Sequence, residues 1–560
     1  METILMLYYL AIFIVTGVLL ATKYRASHNG FIKLTEGEWR WKWHRNYVAR
    51  PAWIGSCFII GLAGLFYEKG IVTAILAPFY AGGVVLGIEF IFKLFGVFGM
   101  RFNPIRDKDS HNRGARIANV KTVNQRIAKA KLATRLSLGG LSIPQEIEGR
   151  NFVFAGSPGS GKTQGIMTML DQLSHYPDRA FIADPSGQFY KRYLQPDSVL
   201  FNPFDSRSVD WSPLAEMDGV WSAQAIACSI IPDGEGSEAA WNKYAQTVLT
   251  VILQHVYQTD GDNGDLYRIC CVAGFDEMQA LTKGTPAGRF FEKEGSDMTN
   301  STMNILTTFI GSFQYLNPET GKEGFSFAKY AREGESWVFL TYEQTQLKLI
   351  KPLIACALDT VSLAILGLQP DLNRQKIWIV SDEFPLLGRI QNLEILATNG
   401  RKHGSVIMLG FQDQGQIEAS YGKLGSGTLL NCIGTQCILR CTDQKTASYW
   451  AEHAGKQEIT RTNQSGGVSG GQGGTNSGWS QQVTQEHVYM PSEIQNFQDL
   501  NGFVNLAGDY PLVPVWLSVA KQQEDRCVAF VQKDFKAPVK VVKKEVDPVE
   551  AMTEPVEIDL

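Results

Sequence analysis

Residues 156–163 read Gly156, Ser157, Pro158, Gly159, Ser160, Gly161, Lys162 and Thr163, which is the pattern G-x-x-x-x-G-K-[ST]. The glycines let backbone N–H groups turn inward and converge on an anion. Lys162 offers a cation to the outer phosphates of a nucleotide, and Thr163 offers a hydroxyl to Mg²⁺. Hydrolysis needs carboxylates as well, one to hold the metal through water and one to polarise the attacking water. Asp382 and Glu383 close the apolar run 377–381 and suit those two tasks. Asp184, which ends the run 179–183, is the rival candidate for the metal carboxylate; with Asp382 in that role it is a strand-end residue near the nucleotide with a secondary part. ATP with Mg²⁺ is therefore the expected cofactor pair.

Two later residues extend the site. Arg401 lies in Asn399-Gly400-Arg401-Lys402-His403-Gly404, just before the apolar run 405–411, which Gln412 closes. An arginine can stabilise charge on a γ-phosphate, often from a neighbouring subunit. A glutamine at a strand end can sense whether that phosphate is present. By residue type alone, each is as readily a surface contact.

These groups need elements to hold them. Residues 151–155 predict a short buried strand, and a helical pattern follows the loop as far as Leu173. That strand–loop–helix context is the one the motif requires. Asp382 comes 220 positions after Lys162, more chain than a minimal phosphate-loop core uses, so an insertion is expected. Residues 215–320 supply it: 241–257 and 301–315 carry apolar residues at helical spacing, and Gly- and Asp-rich breaks such as 259–265 separate the pieces.

The chain has 560 residues and a formal net charge of -4, which excludes a simple nucleic-acid-coating protein but not a motor whose basic groups line a pore. Charge is unevenly spread. Residues 99–135 hold ten Lys and Arg against two acids, whereas 545–560 hold six acids and no base. None of the nine cysteines makes a C-x-x-C pair, which predicts reduced, packed thiols rather than disulfides or a zinc site.

Three apolar stretches predict membrane spans at 4–21, 51–67 and 71–92. A cleavable signal peptide is the rival reading of the first, but Glu2 replaces the usual basic start. Glu89 and Pro78 weaken the third. Lys23, Arg25, Lys33, Arg40, Lys42, Arg45 and Arg50, with the basic stretch after 99, place both loops in the cytoplasm. The expected location is the bacterial inner membrane, with most of the chain inside.

Four segments carry a family likeness: 138–162, 201–214 (FNPFDSRSVDWSPL), 381–421 (SDEFPLLGRIQNLEILATNGRKHGSVIMLGFQDQGQIEASY), and the pair 489–494 (YMPSEI) and 508–511 (GDYP). Through them the chain resembles the type IV secretion coupling proteins of the TraD/TrwB type, relatives of the FtsK and HerA motors. The likeness covers roughly 138–520. It implies an α/β fold: a RecA-like phosphate-loop domain over 138–214 and 321–535 with an all-helical domain, 215–320, inserted. Transmembrane helices would occupy 1–98, a basic connector 99–137 and an acidic tail 536–560. It also implies a ring of six subunits that couples a relaxase–DNA substrate to a transenvelope channel, powered by ATP. By position, Lys162 and Thr163 would bind phosphate and metal, Asp382 and Glu383 would serve hydrolysis, Arg401 would be an arginine finger and Gln412 a sensor. Family members typically have two spans, so a third is a departure.

Two alternatives stay open: a coupling ATPase for effector proteins that never handles DNA, and a receptor platform organised by ATP binding. A relaxase among the neighbouring genes would favour DNA transfer. The Gly- and Ser-rich stretch 463–482 predicts a flexible loop on the motor domain. The tail is either a solubilising segment or a docking peptide for a partner protein.

Overall fold

The computed structural model describes residues 109–234, 236, 238–468, 475–520 and 524–534. The three expected spans, the start of the basic connector and the acidic tail lie outside the described residues.

Fourteen strands are described. They are β1 (Asp109–Gly114), β2 (Thr134–Leu138), β3 (Leu141–Pro144), β4 (Phe152–Ala155), β5 (Arg179–Pro185), β6 (Val199–Phe201), β7 (Trp337–Tyr342), β8 (Ile377–Ser381), β9 (Ser405–Phe411), β10 (Thr435–Ile438), β11 (Lys456–Val468), β12 (Thr475–His487), β13 (Asn501–Leu506) and β14 (Val513–Trp516). Nine of them form one sheet in the order β14-β13-β10-β4-β9-β8-β5-β7-β6. From β10 to β6 neighbouring strands run parallel, and β13 and β14 add antiparallel pairings at one edge. The central strands are buried along nearly all their length and mainly apolar, as strands covered on both faces must be. The fold is an α/β nucleotide-binding fold with a parallel core.

The helices are α1 (Val120–Lys129), α2 (Gln145–Glu148), α3 (Lys162–Leu173), α4 (Gln188–Tyr193), α5 (Ala223–Ile230), α6 (Glu238–Gln258), α7 (Asn263–Cys271), α8 (Phe275–Thr282), α9 (Asp297–Ile310), α10 (Phe327–Glu333), α11 (Gln344–Leu366), α12 (Leu393–Asn399), α13 (Gln414–Asn431), α14 (Gln444–Ala454) and α15 (Pro491–Gln495). Between β6 and β7 every described element is helical. One face of the sheet packs Phe154, Ile182 and Val380 with Ile166, Met169 and Leu170 of α3. The other packs Phe181, Ile379 and Leu409 with Leu353, Ile354 and Val361 of α11, and with the helices between β6 and β7. Helix α11 is long and apolar enough to cross a membrane, yet most of its apolar window is buried in this core.

Two expectations need correction. The stretch 99–137, expected as a basic connector, is built into the folded core from α1 onward: Val123 and Ile127 bury one face of α1, and Arg135 of β2 pairs with Glu148 and, at 2.6 Å, with Asp178. The flexible loop expected over 463–482 is instead entered by β11 and β12 from either side. With β1 they form a three-stranded sheet, a separate compact unit. Composition says little about such pairing, because a backbone ladder such as the one between β1 and β11, with Ser110 opposite Thr460, is made by main-chain groups whatever the side chains.

Candidate nucleotide site

Strand β4 ends in the middle of the sheet, between β9 and β10, and the chain turns at once into the loop. Its exit is anchored on both sides: the N–H of Gly156 donates to the carbonyl of Phe411 (3.2 Å) and that of Ser157 to Arg440 (2.7 Å). Gly159 and Gly161 take φ of +75° and +109°, a region L side chains rarely adopt. A Cβ on Gly156 would lie 2.5 Å from Ser160 Oγ, so that turn has no room for a side chain. Helix α3 then starts at Lys162, and its free N–H groups face the loop.

Lys162 is buried, and its Nζ donates to the Gly156 carbonyl at 2.7 Å, across the mouth of the loop. Burial lowers its pKa, while Glu383 and Asp382 pull the other way. Thr163 Oγ1 donates to Asp382 Oδ2 at 2.6 Å. That contact spans 219 positions of sequence and arises because β8 leaves the sheet beside the loop. Asp382 is buried, and its Oδ1 has no hydrogen-bond partner. Burial raises its pKa against the opposing pull of Thr163 and Lys162. Glu383 is half-buried; Gln412 Nε2 donates to its Oε2 at 2.7 Å. Burial raises the Glu383 pKa as well, against Gln412 and Lys162.

Asp184 sits at the end of β5, the neighbour of β8. It is fully buried; one oxygen accepts from the N–H of Tyr190 (2.7 Å) and the other has no partner. Burial pushes its pKa up to about 7, opposed by the backbone donors of α4.

Lys162, Thr163, Asp382, Glu383 and Gln412 thus gather at the carboxyl ends of the parallel strands, where ligands bind in open α/β sheets. Arg401 does not join them. It lies in the turn Gly400–His403 that enters β9, at the opposite end of that strand from Gln412. Seven strand residues separate those ends by roughly 20 Å. There its Nη2 donates to the Glu146 carbonyl at 3.1 Å.

Two supports of the loop were missed by sequence reasoning. Thr442, beyond β10, shares a hydrogen bond of 2.8 Å with Ser157 Oγ. Leu500, held at φ +65°, donates its N–H to the Ser160 carbonyl (2.9 Å) and lays its side chain against Gly161. The one signal for Thr442 was the strand 435–438 followed by the helix cap Asp443, which accepts from Thr446 N.

A carboxylate with an orphaned buried oxygen beside the hydroxyl of the loop, next to a turn that needs glycine at 156, 159 and 161, fits a magnesium–nucleoside triphosphate. The comparisons agree with that chemistry. Residues 135–518 match the family model described as the type IV secretion-system coupling protein DNA-binding domain. The chain belongs to the type IV secretion-system coupling protein family. This coupling protein is 24% identical over 413 residues to the coupling protein TraD of Escherichia coli (strain K12), covering 71% of this chain and 57% of TraD. It is 25% identical over 394 residues to the coupling protein VirD4 of Bartonella quintana (strain Toulouse), covering 63% and 60%. The chain therefore spans about three fifths of the length of these curated relatives. Among solved structures, the plasmid coupling protein TrwB in complex with the ATP analogue ADPNP aligns with a TM-score of 0.68 at 25% identity, covering 76% of this chain and 98% of that one. TrwB in complex with ADP and Mg²⁺ aligns with a TM-score of 0.67.

Proposed function

We propose that this coupling protein is a membrane-anchored ATPase that drives a relaxase–DNA substrate into a type IV secretion channel during conjugative transfer. The observation that carries the reading is the 2.6 Å contact between Thr163 and Asp382, which joins the phosphate loop to the acid pair. Bound MgATP supplies the free energy of phosphoryl transfer, with the metal neutralising charge on the phosphates. The N–H groups of Gly159, Gly161 and the first turn of α3 would cradle phosphate, and the Lys162 ammonium would pair with it. Thr163 and Asp382 would hold the metal. Glu383 orients the attacking water and accepts its proton, and Gln412 sets the orientation of the Glu383 carboxylate. Arg401 serves a neighbouring subunit in a ring of six. The RecA-like core over 138–214 and 321–535 carries the helical domain 215–320, and spans before residue 99 anchor it in the inner membrane.

The test is genetic. Cells whose copy of the gene carries Lys162→Ala should insert the protein normally and yet transfer no mobile DNA to recipient cells. Wild-type transfer by that variant contradicts the reading.

A further inference from the structure

Glu383, the candidate general base, leads into a short segment whose successive residues are tied to α13, to the loop between α5 and α6, and to α11. After Glu383 come a turn, Phe384–Leu387, then Gly388 at φ +74°, then residues 389–392. Ile390 donates its N–H to Tyr421 Oη at 2.9 Å. Gln391 and Asp233 bind each other twice: Gln391 Nε2 donates to Asp233 Oδ2 (2.6 Å) and Asp233 N donates to Gln391 Oε1 (2.9 Å). Asp233 Oδ1 accepts in turn from Gln246 of α6 (3.0 Å). Asn392 grips Asp359 of α11 with both its backbone N–H (2.6 Å) and its Nδ2 (3.0 Å). Ser229 of α5 donates to the same Asp359 carboxylate.

Asp359 is fully buried, and these partners are neutral donors. A buried carboxylate without a cation is costly, and an apolar residue at this position in a core helix would be cheaper. What the carboxylate gains is a joint: it can accept from α5 and from the segment behind Glu383 at once. The Gln391–Asp233 pair makes a second, parallel tie to α6.

We propose that Asp359 and Asp233 are positioning residues that couple the helical region 223–258 to the nucleotide site through residues 390–392. A change at Glu383 on nucleotide binding shifts the segment, and the shift reaches α5 and α6 through these two carboxylates. The inference rests on the ATPase reading above, and the experiment separates the two.

The probe is ADPNP with Mg²⁺ on the full chain in detergent, with binding measured by equilibrium titration and backbone protection by hydrogen exchange. In the wild type, the analogue should change exchange both at 383–392 and at 223–246. In the Asp233→Ala/Gln391→Ala variant, binding should remain within about twofold while the change at 223–246 is lost. Turnover should fall by about tenfold at unchanged KM, within the range such couplings carry. Asp359→Asn should behave alike, and the half-exposed Asp233–Gln391 pair decides the matter if Asp359→Asn does not fold. A wild type that binds the analogue with no change at 223–246 overturns the proposal, as does a double variant that retains the change. Absence of binding in the wild type would overturn the ATPase reading itself and the coupling with it.

Discussion

Asp184 shows how burial tunes a residue at this site, with Asp382 adding to the shift and the backbone donors of α4 opposing it. In an unfolded chain an aspartate titrates near about 3.9, whereas here it titrates at about 7. The folded state therefore holds the proton more tightly. The stability this provides is full below the unfolded value and is lost as pH rises through 7. Asparagine cannot ionise, and it keeps an acceptor for the Tyr190 N–H. Without nucleotide, Asp184→Asn should melt above the wild type at pH 8, and the gap should shrink by more than half at pH 5. A gap that does not change with pH contradicts the assignment. At this scale the sequence was legible where chemistry is contiguous. Eight adjacent residues carry the loop, and Asp382-Glu383 follows an apolar run. Thr442 and Leu500 were invisible because each acts on the loop from about 280 to 340 positions away, as a backbone or hydroxyl support that no residue type announces.

At the scale of elements, the helical run between β6 and β7 leaves and rejoins the sheet at one buried carboxylate. Glu216 accepts from Trp211 Nε1 (2.8 Å), Ser326 Oγ (2.7 Å), Phe327 N (2.7 Å) and Ala328 N (3.0 Å). Glu216→Ala strands four donors, three of them in buried surroundings, and should cost at least about 3 kcal/mol by thermal or denaturant melting. Glu216→Gln, which keeps one oxygen as acceptor, should fall between; a Glu216→Ala protein as stable as wild type would remove this clamp from the account. The helices themselves were readable: α6 buries Ala245, Val248, Leu249, Ile252, Leu253 and Val256 at the spacing the sequence displays. The clamp was not, since its two halves lie about 110 positions apart. The strands β11 and β12 escaped for a different reason, because glycine and serine say little about which backbone will pair with them.

At the scale of the whole molecule, Arg401 makes the account depend on assembly. It sits at the far end of β9 from Gln412, so within one subunit it cannot reach the phosphates. If it serves a neighbour, Arg401→Ala should lower turnover by roughly a thousandfold, the scale of an arginine finger. Mixing Arg401→Ala chains with Lys162→Ala chains should restore activity that neither has alone, because each supplies what the other lacks. Mixtures no more active than their parts would make Arg401 a contact within its own subunit, such as the one it makes with Glu146. The central claim is that the acid pair beside the phosphate loop hydrolyses ATP, and Glu383→Gln tests it most directly. The variant keeps Thr163 and Asp382 for the metal, so the purified full chain should bind MgATP with near wild-type affinity. Its turnover should fall by about a hundredfold or more, the loss of a general base. Turnover close to wild type in that variant would contradict the account.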